Sequence, residues 1–144
     1  MWRRLSKYGV LFIIGAVLYF ETELNWRYFN GTLPVHWSMP LLGAVLFILI
    51  GGLNNWLPWE MPFLLQCLIG AATVTAAEFV SGCILNLWLG WNVWDYSDIP
   101  GNLLGQICPA FFAAWIVVSA AAIVVDDWLR YKLYGEEKPH YKII

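Results

Sequence analysis

The sequence predicts an all-α fold, a polytopic membrane protein built as a four-transmembrane-helix bundle. Three observations predict this class: 60% of the 144 residues are hydrophobic, 12% are charged, and the mean hydropathy is +0.62. Soluble domains carry about 25% charged residues, so this chain has roughly half the charge that a surface in water needs. Soluble enzymes, nucleic-acid-binding proteins and disordered tails fit this composition poorly. We therefore expect the lipid bilayer as the surroundings and no nucleic-acid partner.

Four apolar segments account for the predicted helices. A membrane span requires about 20 residues, and the four segments form one expected transmembrane domain over residues 1–144. The apolar run of helix 1 follows three basic residues, but no small-residue cleavage site of a signal peptide comes after it. The predicted helices cover about residues 8–28, 39–56, 61–89 and 102–130.

Prolines mark several of the predicted boundaries. Pro40 suits the first turn of helix 2, where its missing N–H group is not needed. Asn54, Pro58 and Pro62 predict a tight turn between helices 2 and 3. Pro109 falls inside predicted helix 4, where it should remove a backbone hydrogen bond and kink the helix.

The positions of the basic residues predict the orientation. Three Lys or Arg residues precede helix 1, four lie from Arg130 onward, and Arg27 is the only one between these two groups. Short flanks rich in Lys and Arg favour the cytoplasmic side. We therefore expect a multi-pass protein of the cell (plasma) membrane with both termini in the cytoplasm. Loops 21–38 and 90–101 would lie outside, and the tail 131–144 would be a short cytoplasmic end, interfacial or disordered.

Glu78 lies deep within predicted helix 3. An acidic group at the centre of a span costs on the order of 3 kcal/mol on insertion scales, so such groups usually face the protein interior and have partners. Helical spacing places Glu78 on one broad face with Thr75, Ser81, Gly82 and Asn86. This polar stripe has two interpretations that the sequence leaves open. It is either a seam between packed helices or a binding or proton-carrying site.

Similar spacings in the two halves of the chain suggest an internal repeat. Glu21 is followed sixteen residues later by Trp37, and Glu78 is followed sixteen residues later by Trp94. Each Trp is followed by a Ser and then by a Leu-Leu-Gly string. One interpretation is a parallel duplication of a two-helix hairpin, with the two glutamates at similar depth around an axis along the membrane normal. The other interpretation is that the two spacings agree by chance.

The loop after helix 3 contributes most of the other candidate ligand-binding residues. Its Trp and Tyr residues are ordinary interfacial anchors, but Asn102 and Gln106, four positions apart, should share one polar face of helix 4. With Glu78 and Asn86 they could line an outward-facing polar cavity. The candidate ligand-binding set is Glu21, Arg27, Glu78, Asn86, Trp94, Asp95, Tyr96, Ser97, Asn102 and Gln106.

Arg27 is the only basic residue on the predicted outer side. It is the expected counter-charge for Glu21, Glu23, Asp95 or Asp98, and an Arg–carboxylate pair of this kind would tie the two outer loops together. The three cysteines have no Cys/His spacing of a metal or redox site, and no phosphate-binding glycine loop is present. We expect no metal, no cofactor and no ATPase activity of the chain itself.

Several residues and short motifs from helix 3 to helix 4 form a distinctive set, namely Glu78-Phe79, Ser81-Gly82, Trp94-Asp95-Tyr96-Ser97, Asn102, Gly105-Gln106-Ile107-Cys108 and Trp115. Together they resemble the motifs of the ABC-transporter permease-like family of small bacterial membrane proteins, which has vertebrate relatives. The resemblance implies the fold and the membrane location. Many members have Arg at the position of Gln106, so this chain lacks that positive charge. No substrate and no catalytic residue follow from the resemblance.

Three functions remain open at this stage. The leading hypothesis is a transporter or permease-like component that binds a small ligand or cation in an outward polar cavity, as a homo-oligomer or within a larger membrane complex. The alternative is a structural or accessory subunit whose polar stripe is a helix-association seam. A lipid-headgroup enzyme using Asp95, Ser97 and Asp98 is the third, but no base–nucleophile pair or metal cluster accompanies these residues. The sequence therefore favours a protein that is not an enzyme.

Overall fold

The computed structural model describes residues 2–143, and over that range the protein is all-helical, as predicted. The two isolated backbone bridges of the described residues do not extend into strands. A short 3-10 turn follows the second helix, and the third helix continues into a π-helical segment. The elements are α1 (Trp2–Asn30), α2 (Ser38–Gly51), the 3-10 turn (Leu53–Asn55), α3 (Phe63–Gly82), the π segment (Cys83–Trp88) and α4 (Pro109–Tyr134).

Four of these helical segments are long and apolar enough to cross a membrane. They contain between 18 and 26 residues, against about 20 for a typical span. The protein is therefore a multi-pass membrane protein, and its spans contact the lipid bilayer. The candidate spans are Ser6–Asn30, Ser38–Asn55, Phe63–Trp88 and Pro109–Tyr134.

The start of helix 4 differs from the prediction. Helix α4 begins at Pro109 rather than at residue 102, so the predicted kink at Pro109 is wrong. Proline is favoured in the first turn of a helix, where no N–H donor is needed. Leu104 and Gly105 have φ angles of +54° and +69°, which a right-handed helix does not contain. Asn102 and Gln106 therefore lie in the loop before α4, and the prediction that they share a polar face of helix 4 is also wrong.

The contacts divide the chain into two compact units. The first contains the residues up to 57 together with 122–140, and the second contains 58–121 together with the residues from 141 on. In the first unit, α1 and α2 pack closely through glycines. A methyl group at Gly43 would overlap the side chain of Tyr19, and one at Gly15 would overlap that of Phe47. Small residues at such positions let two membrane helices approach each other.

The second unit contains α3, the π segment, the loop 89–108 and the first half of α4. The beginning of α3 is capped by the C-terminal tail. The N–H group of Phe63 donates to the main-chain carbonyl of Lys142 at 2.7 Å, and the rings of Phe63 and Tyr141 lie 4.7 Å apart. The first N–H groups of a helix have no partner within the helix, so the tail supplies one.

Candidate functional site

The carboxyl group of Glu78 is buried within the second unit. The residue is 6% exposed, and both of its carboxylate oxygens accept hydrogen bonds. The hydroxyl group of Tyr96 donates to Oε1 at 2.8 Å, and Nε1 of Trp115 donates to Oε2 at 2.9 Å. Both donors are neutral, so these bonds stabilise the carboxylate without cancelling its charge. The side chain is thus directed inward, as the cost of a charge in a span requires.

Two aromatic side chains bond to this carboxyl group, and a third ring stacks on one of them. The rings of Tyr96 and Phe111 are stacked, with centroids 4.4 Å apart and planes 16° apart. The ring of Phe111 lies 6.2 Å from that of Trp115. Phe111 and Trp115 are four positions apart on α4, so they share one face of that helix. The first two turns of α4 and the loop therefore supply the aromatic surroundings of Glu78.

Basic residues are scarce in the sequence of the second unit. The chain has no Lys or Arg between Arg27 and Arg130. The sequence of the second unit contains four acidic residues, namely Glu60, Glu78, Asp95 and Asp98, and one basic residue, Lys142. The unit therefore has a surplus of negative charge.

Two buried amide side chains tie the loop to the π segment. Nδ2 of Asn86 donates to Oε1 of Gln106 at 2.8 Å, and its Oδ1 accepts the N–H group of Val93 at 2.7 Å. Nε2 of Gln106 donates to the carbonyl of Leu104 at 2.9 Å, while Nε1 of Trp94 donates to the carbonyl of Gln106 at 3.1 Å. These bonds satisfy the amides with protein partners and fix the path of the loop.

Gly82 is the small residue that makes room for this arrangement. A methyl group on Gly82 would overlap the side chain of Gln106 and press on the ring of Trp94. Gly82 is the last residue of α3, and the π segment begins directly after it. A π turn has an i→i+5 hydrogen bond, so the place of Asn86 around the helix cannot be read from α-helical spacing.

The part of the loop from Asp95 to Gly105 is held by polar turns. Oδ1 of Asp95 accepts the N–H group of Ser97 at 2.8 Å and its hydroxyl group at 2.5 Å. Nδ2 of Asn102 donates to the carbonyls of Ser97 and Ile99, and its Oδ1 accepts the N–H group of Gly105. Gly105 has a positive φ, and a side chain there would overlap Ser97 and Asp95. Both constraints therefore require glycine at this position.

The hydrogen bonds from Ser97 lower the pKa of the Asp95 carboxyl group. The folded loop therefore gains stability above the ordinary carboxyl range, near about pH 3.9, and loses it as the pH falls through the lowered pKa. We expect the Ser97→Ala substitution to raise the pKa of Asp95, because the hydroxyl donor is lost. A carboxyl ¹³C NMR titration of labelled aspartate would measure this. The titration of Asp98 is the internal control, and an unchanged Asp95 titration would contradict the prediction.

The predicted site residues fall into the two units. Eight of them lie in the second unit and take part in the contacts just described, namely Glu78, Asn86, Trp94, Asp95, Tyr96, Ser97, Asn102 and Gln106. Glu21 and Arg27 lie on α1 in the first unit. Of the carboxylates proposed as partners of Arg27, the structure shows Glu23, whose Oε1 accepts from Nε at 2.7 Å.

Trp115 and Phe111 are two residues of this site that were not among the predicted ligand-binding residues. Trp115 is 37 positions from Glu78 along the chain, and neither helical spacing nor a short motif connects two residues so far apart. The available signal for Trp115 is that it belongs, with Glu78, to the residues that carry the family resemblance. For Phe111 the signal is only its position in the first two turns of an apolar helix that follows the loop.

The site contains no recognisable metal-ligand set. Among the described residues, no group of three or more His, Cys, Asp or Glu is placed to hold a metal ion. Cys67, Cys83 and Cys108 are free thiols. The chemistry that the site offers is a buried carboxylate with neutral hydrogen-bond donors and aromatic faces.

Comparison with protein families shows which family the chain resembles over most of its length. The model of the family described as Putative ABC-transporter type IV matches residues 10–141. This range contains all the residues of the Glu78 site and most of the chain. Comparison with curated proteins and with solved structures gives no match.

Proposed function

Because the chain belongs to the Putative ABC-transporter type IV family, we propose that it is a transport component that binds a small organic cation at Glu78. The four membrane-spanning segments fit a transporter-like membrane protein. The buried carboxylate of Glu78 and the aromatic residues at this site support the proposal that the ligand is an organic cation. The basic termini are best placed on the cytoplasmic side, which leaves the loop 89–108 outside.

A buried carboxylate with neutral donors favours a cationic ligand. Opposite charges attract more strongly where water is excluded, because the effective dielectric constant is lower. Organic cations also bind the faces of Trp, Tyr and Phe rings, and Trp115, Tyr96 and Phe111 all lie at this site. The surplus of acidic residues in the second unit also favours a cationic ligand.

The loop 89–108 is the element that would have to open for such a ligand. It carries Tyr96, whose hydroxyl group is bonded to Glu78. A cation would replace this donor at the carboxylate. Four helices enclose little volume, so transport would require two or more copies of the chain or a larger membrane complex.

The Glu78→Gln substitution tests this proposal. It keeps the size of the side chain and removes its charge, so binding of the probe cation tetramethylammonium should weaken by about 2 kcal/mol or more, roughly 30-fold. Isothermal titration calorimetry of the purified protein measures the affinity, with sodium chloride of equal ionic strength as the reference.

Asp98→Asn is the matched control, because Asp98 is an exposed carboxylate of the same unit. This variant should bind the probe as the parent protein does. Equal affinity of the parent protein and the Glu78→Gln variant would contradict the proposal, and so would the absence of binding to a folded parent protein.

The accessory-subunit function remains the second candidate, and the amide network favours it. Asn86 and Gln106 are bonded to each other and to the backbone, which is the pattern of a structural seam. If the chain is an accessory subunit, Glu78→Gln should lower its stability in detergent. Alternatively, a partner that is crosslinked to the parent protein in native membranes should no longer be crosslinked to the variant. Neither the parent protein nor the Glu78→Gln variant would then bind tetramethylammonium.

A further inference from the structure

Two buried hydroxyl groups of the second unit lack a hydrogen-bond partner. Ser119 of α4 is 0% exposed, and among the described residues neither its Oγ nor Oγ1 of Thr75 in α3 takes part in a hydrogen bond. The two hydroxyl groups are therefore not bonded to each other either. Neither residue is among the predicted ligand-binding residues, although Thr75 lies on the predicted polar stripe of Glu78.

Two other hydroxyl side chains of α3 are satisfied within the helix. Oγ1 of Thr73 and Oγ of Ser81 each donate to the carbonyl four positions earlier, at 2.9 and 2.7 Å. Ser and Thr within helices commonly form this bond, and buried hydroxyl groups without a partner are rare and costly. Thr75 and Ser119 do not form it, so each hydroxyl group can still donate and accept a hydrogen bond.

Two hydrogen bonds show how α3 and its π segment run beside the chain that leads into α4. Asn86 donates to Gln106. Glu78 comes before Asn86 in the chain, and it accepts from Trp115, which comes after Gln106. The position of one partner therefore falls while that of the other rises, as in two antiparallel segments. Moving away from the loop leads from the Asn86 bond to the Glu78 bond.

One helical turn further along lie the two unpaired hydroxyl groups. Thr75 is three positions before Glu78 on α3, and Ser119 is four positions after Trp115 on α4, spacings that share one face of a helix. Helical side chains are directed towards the N-terminus of their helix. The Glu78 carboxylate thus lies over the turn that contains Thr75, and the hydroxyl group of Ser119 is directed back towards Trp115. Both hydroxyl groups are placed beside the carboxylate.

Hydrogen-bond donors hold both oxygens of the Glu78 carboxylate, Tyr96 at Oε1 and Trp115 at Oε2. A cation without an N–H group that displaced Tyr96 would leave Oε1 buried with one donor fewer, which is costly. A quaternary ammonium ion is such a cation. A protonated amine instead supplies an N–H donor, and its bond to a carboxylate is strengthened by the two charges.

We propose that the Glu78 site takes a protonated primary amine. Its three N–H groups match three acceptors, namely Oε1 of Glu78 in place of the Tyr96 hydroxyl group, Oγ1 of Thr75 and Oγ of Ser119. The organic part of the ligand lies against the aromatic rings of the site, as organic cations commonly do. This inference rests on the proposed function and names the class of cation that the site prefers.

Two ammonium ions of the same size and shape test the proposal. Tetramethylammonium and tert-butylammonium each have five heavy atoms in a tetrahedral arrangement and a single positive charge, but only tert-butylammonium has N–H groups. Isothermal titration calorimetry with the purified full-length protein at neutral pH measures both affinities. The parent protein should bind tert-butylammonium at least about 10-fold more tightly, because its N–H groups form charge-assisted hydrogen bonds.

Thr75→Val and Ser119→Ala each remove one of the hydroxyl acceptors. Each variant should bind tert-butylammonium about 10-fold more weakly than the parent protein does, the usual effect of one hydrogen bond to a charged group. Their affinity for tetramethylammonium should stay within about 2-fold, because this ion has no N–H group to lose a partner. Thr73→Val is the matched control, since the Thr73 hydroxyl group is bonded within its own helix, and it should change neither affinity.

The outcomes separate this inference from the proposed function. Equal affinity of the parent protein for the two ions would overturn the inference, and so would an unchanged preference in a folded Thr75→Val or Ser119→Ala variant. Binding of tetramethylammonium that depends on Glu78 would still support the proposed function in these cases. Absence of binding of both ions to the folded parent protein would overturn both. If one hydroxyl variant does not fold, the other decides together with Thr73→Val.

Thermal unfolding in detergent distinguishes a ligand-binding hydroxyl group from a structural one. The Thr75 hydroxyl group has no partner within the described part of the protein, so its removal relieves the cost of burying an unpaired polar group. The Tm of ligand-free Thr75→Val should therefore equal or exceed that of the parent protein. A Tm lower by more than about 3 °C would show that this hydroxyl group stabilises the fold, and it would overturn the inference.

Discussion

Replacing Trp115 by Phe should destabilise the protein by about 1.5–3 kcal/mol, the usual contribution of a hydrogen bond to a charged group. The substitution removes the N–H donor of Oε2 of Glu78 and leaves that oxygen buried with one donor fewer. Reversible unfolding in mixed micelles, followed by circular dichroism, would measure the change in the free energy of unfolding.

Trp88→Phe is the matched control for this prediction. Trp88 is 79% exposed at the end of the π segment, so its replacement should change the stability by less than about 0.5 kcal/mol. In a Glu78→Leu background, Trp115→Phe should cost less than in the parent protein, because no carboxylate is then left under-bonded. Equal costs in the two backgrounds would show that the ring matters and the hydrogen bond does not.

The Arg130→Met substitution should have the larger effect, a loss of about 3–5 kcal/mol, which is typical when one partner of a buried ion pair is removed. Arg130 is the residue that donates to the fully buried carboxylate of Asp126. Its loss would leave the buried carboxylate of Asp126 without the guanidinium that donates to it. The same unfolding measurement applies.

Lys132→Met provides the control for this second prediction. Lys132 is an exposed residue of the same helix whose Nζ lies 5.2 Å from the ring of Tyr131, and its removal should cost less than about 1 kcal/mol. Similar losses for Arg130→Met and Lys132→Met would contradict the importance of the buried pair.

Hydropathy and the scarcity of charge were sufficient to predict the helices. A segment of about 20 apolar residues has few stable conformations in a bilayer other than a helix, so the four spans follow from composition and length. The inward direction of Glu78 follows from the same physics, since a carboxylate facing lipid is costly. What the sequence could not predict is which residues donate hydrogen bonds to the carboxylate of Glu78.

The segment from Asn102 to Cys108 was assigned to helix 4 because its pattern is apolar with two amides four positions apart. The positive φ angles of Leu104 and Gly105 are backbone properties that this pattern does not reveal, and Leu rarely adopts them. Pro109 was informative but was misinterpreted, since a proline within an apolar run is compatible with both a kink and a helix start. The position of Gln106 therefore required the structure.

The buried charged residues Asp126, Asp127 and Arg130 of α4 were missed for a different reason. Charged residues in the last turns of a membrane helix commonly lie in the headgroup region, so Asp126 and Arg130 were counted for orientation or passed over. Their four-residue spacing permits an ion pair on one face, but burial depends on Gly51 and Asn54, more than 70 positions earlier in the chain. Such pairings between distant segments are not encoded in any local pattern.

The cap on Phe63 constrains how the sequence of the tail can vary. Its acceptor is the main-chain carbonyl of Lys142, which every amino acid possesses, so the side chain at that position can be exchanged freely. A deletion or insertion that shifts the backbone by one residue would instead separate the acceptor from its donor and Tyr141 from Phe63. At this point of the molecule, natural variants should tolerate replacement far better than a change in length.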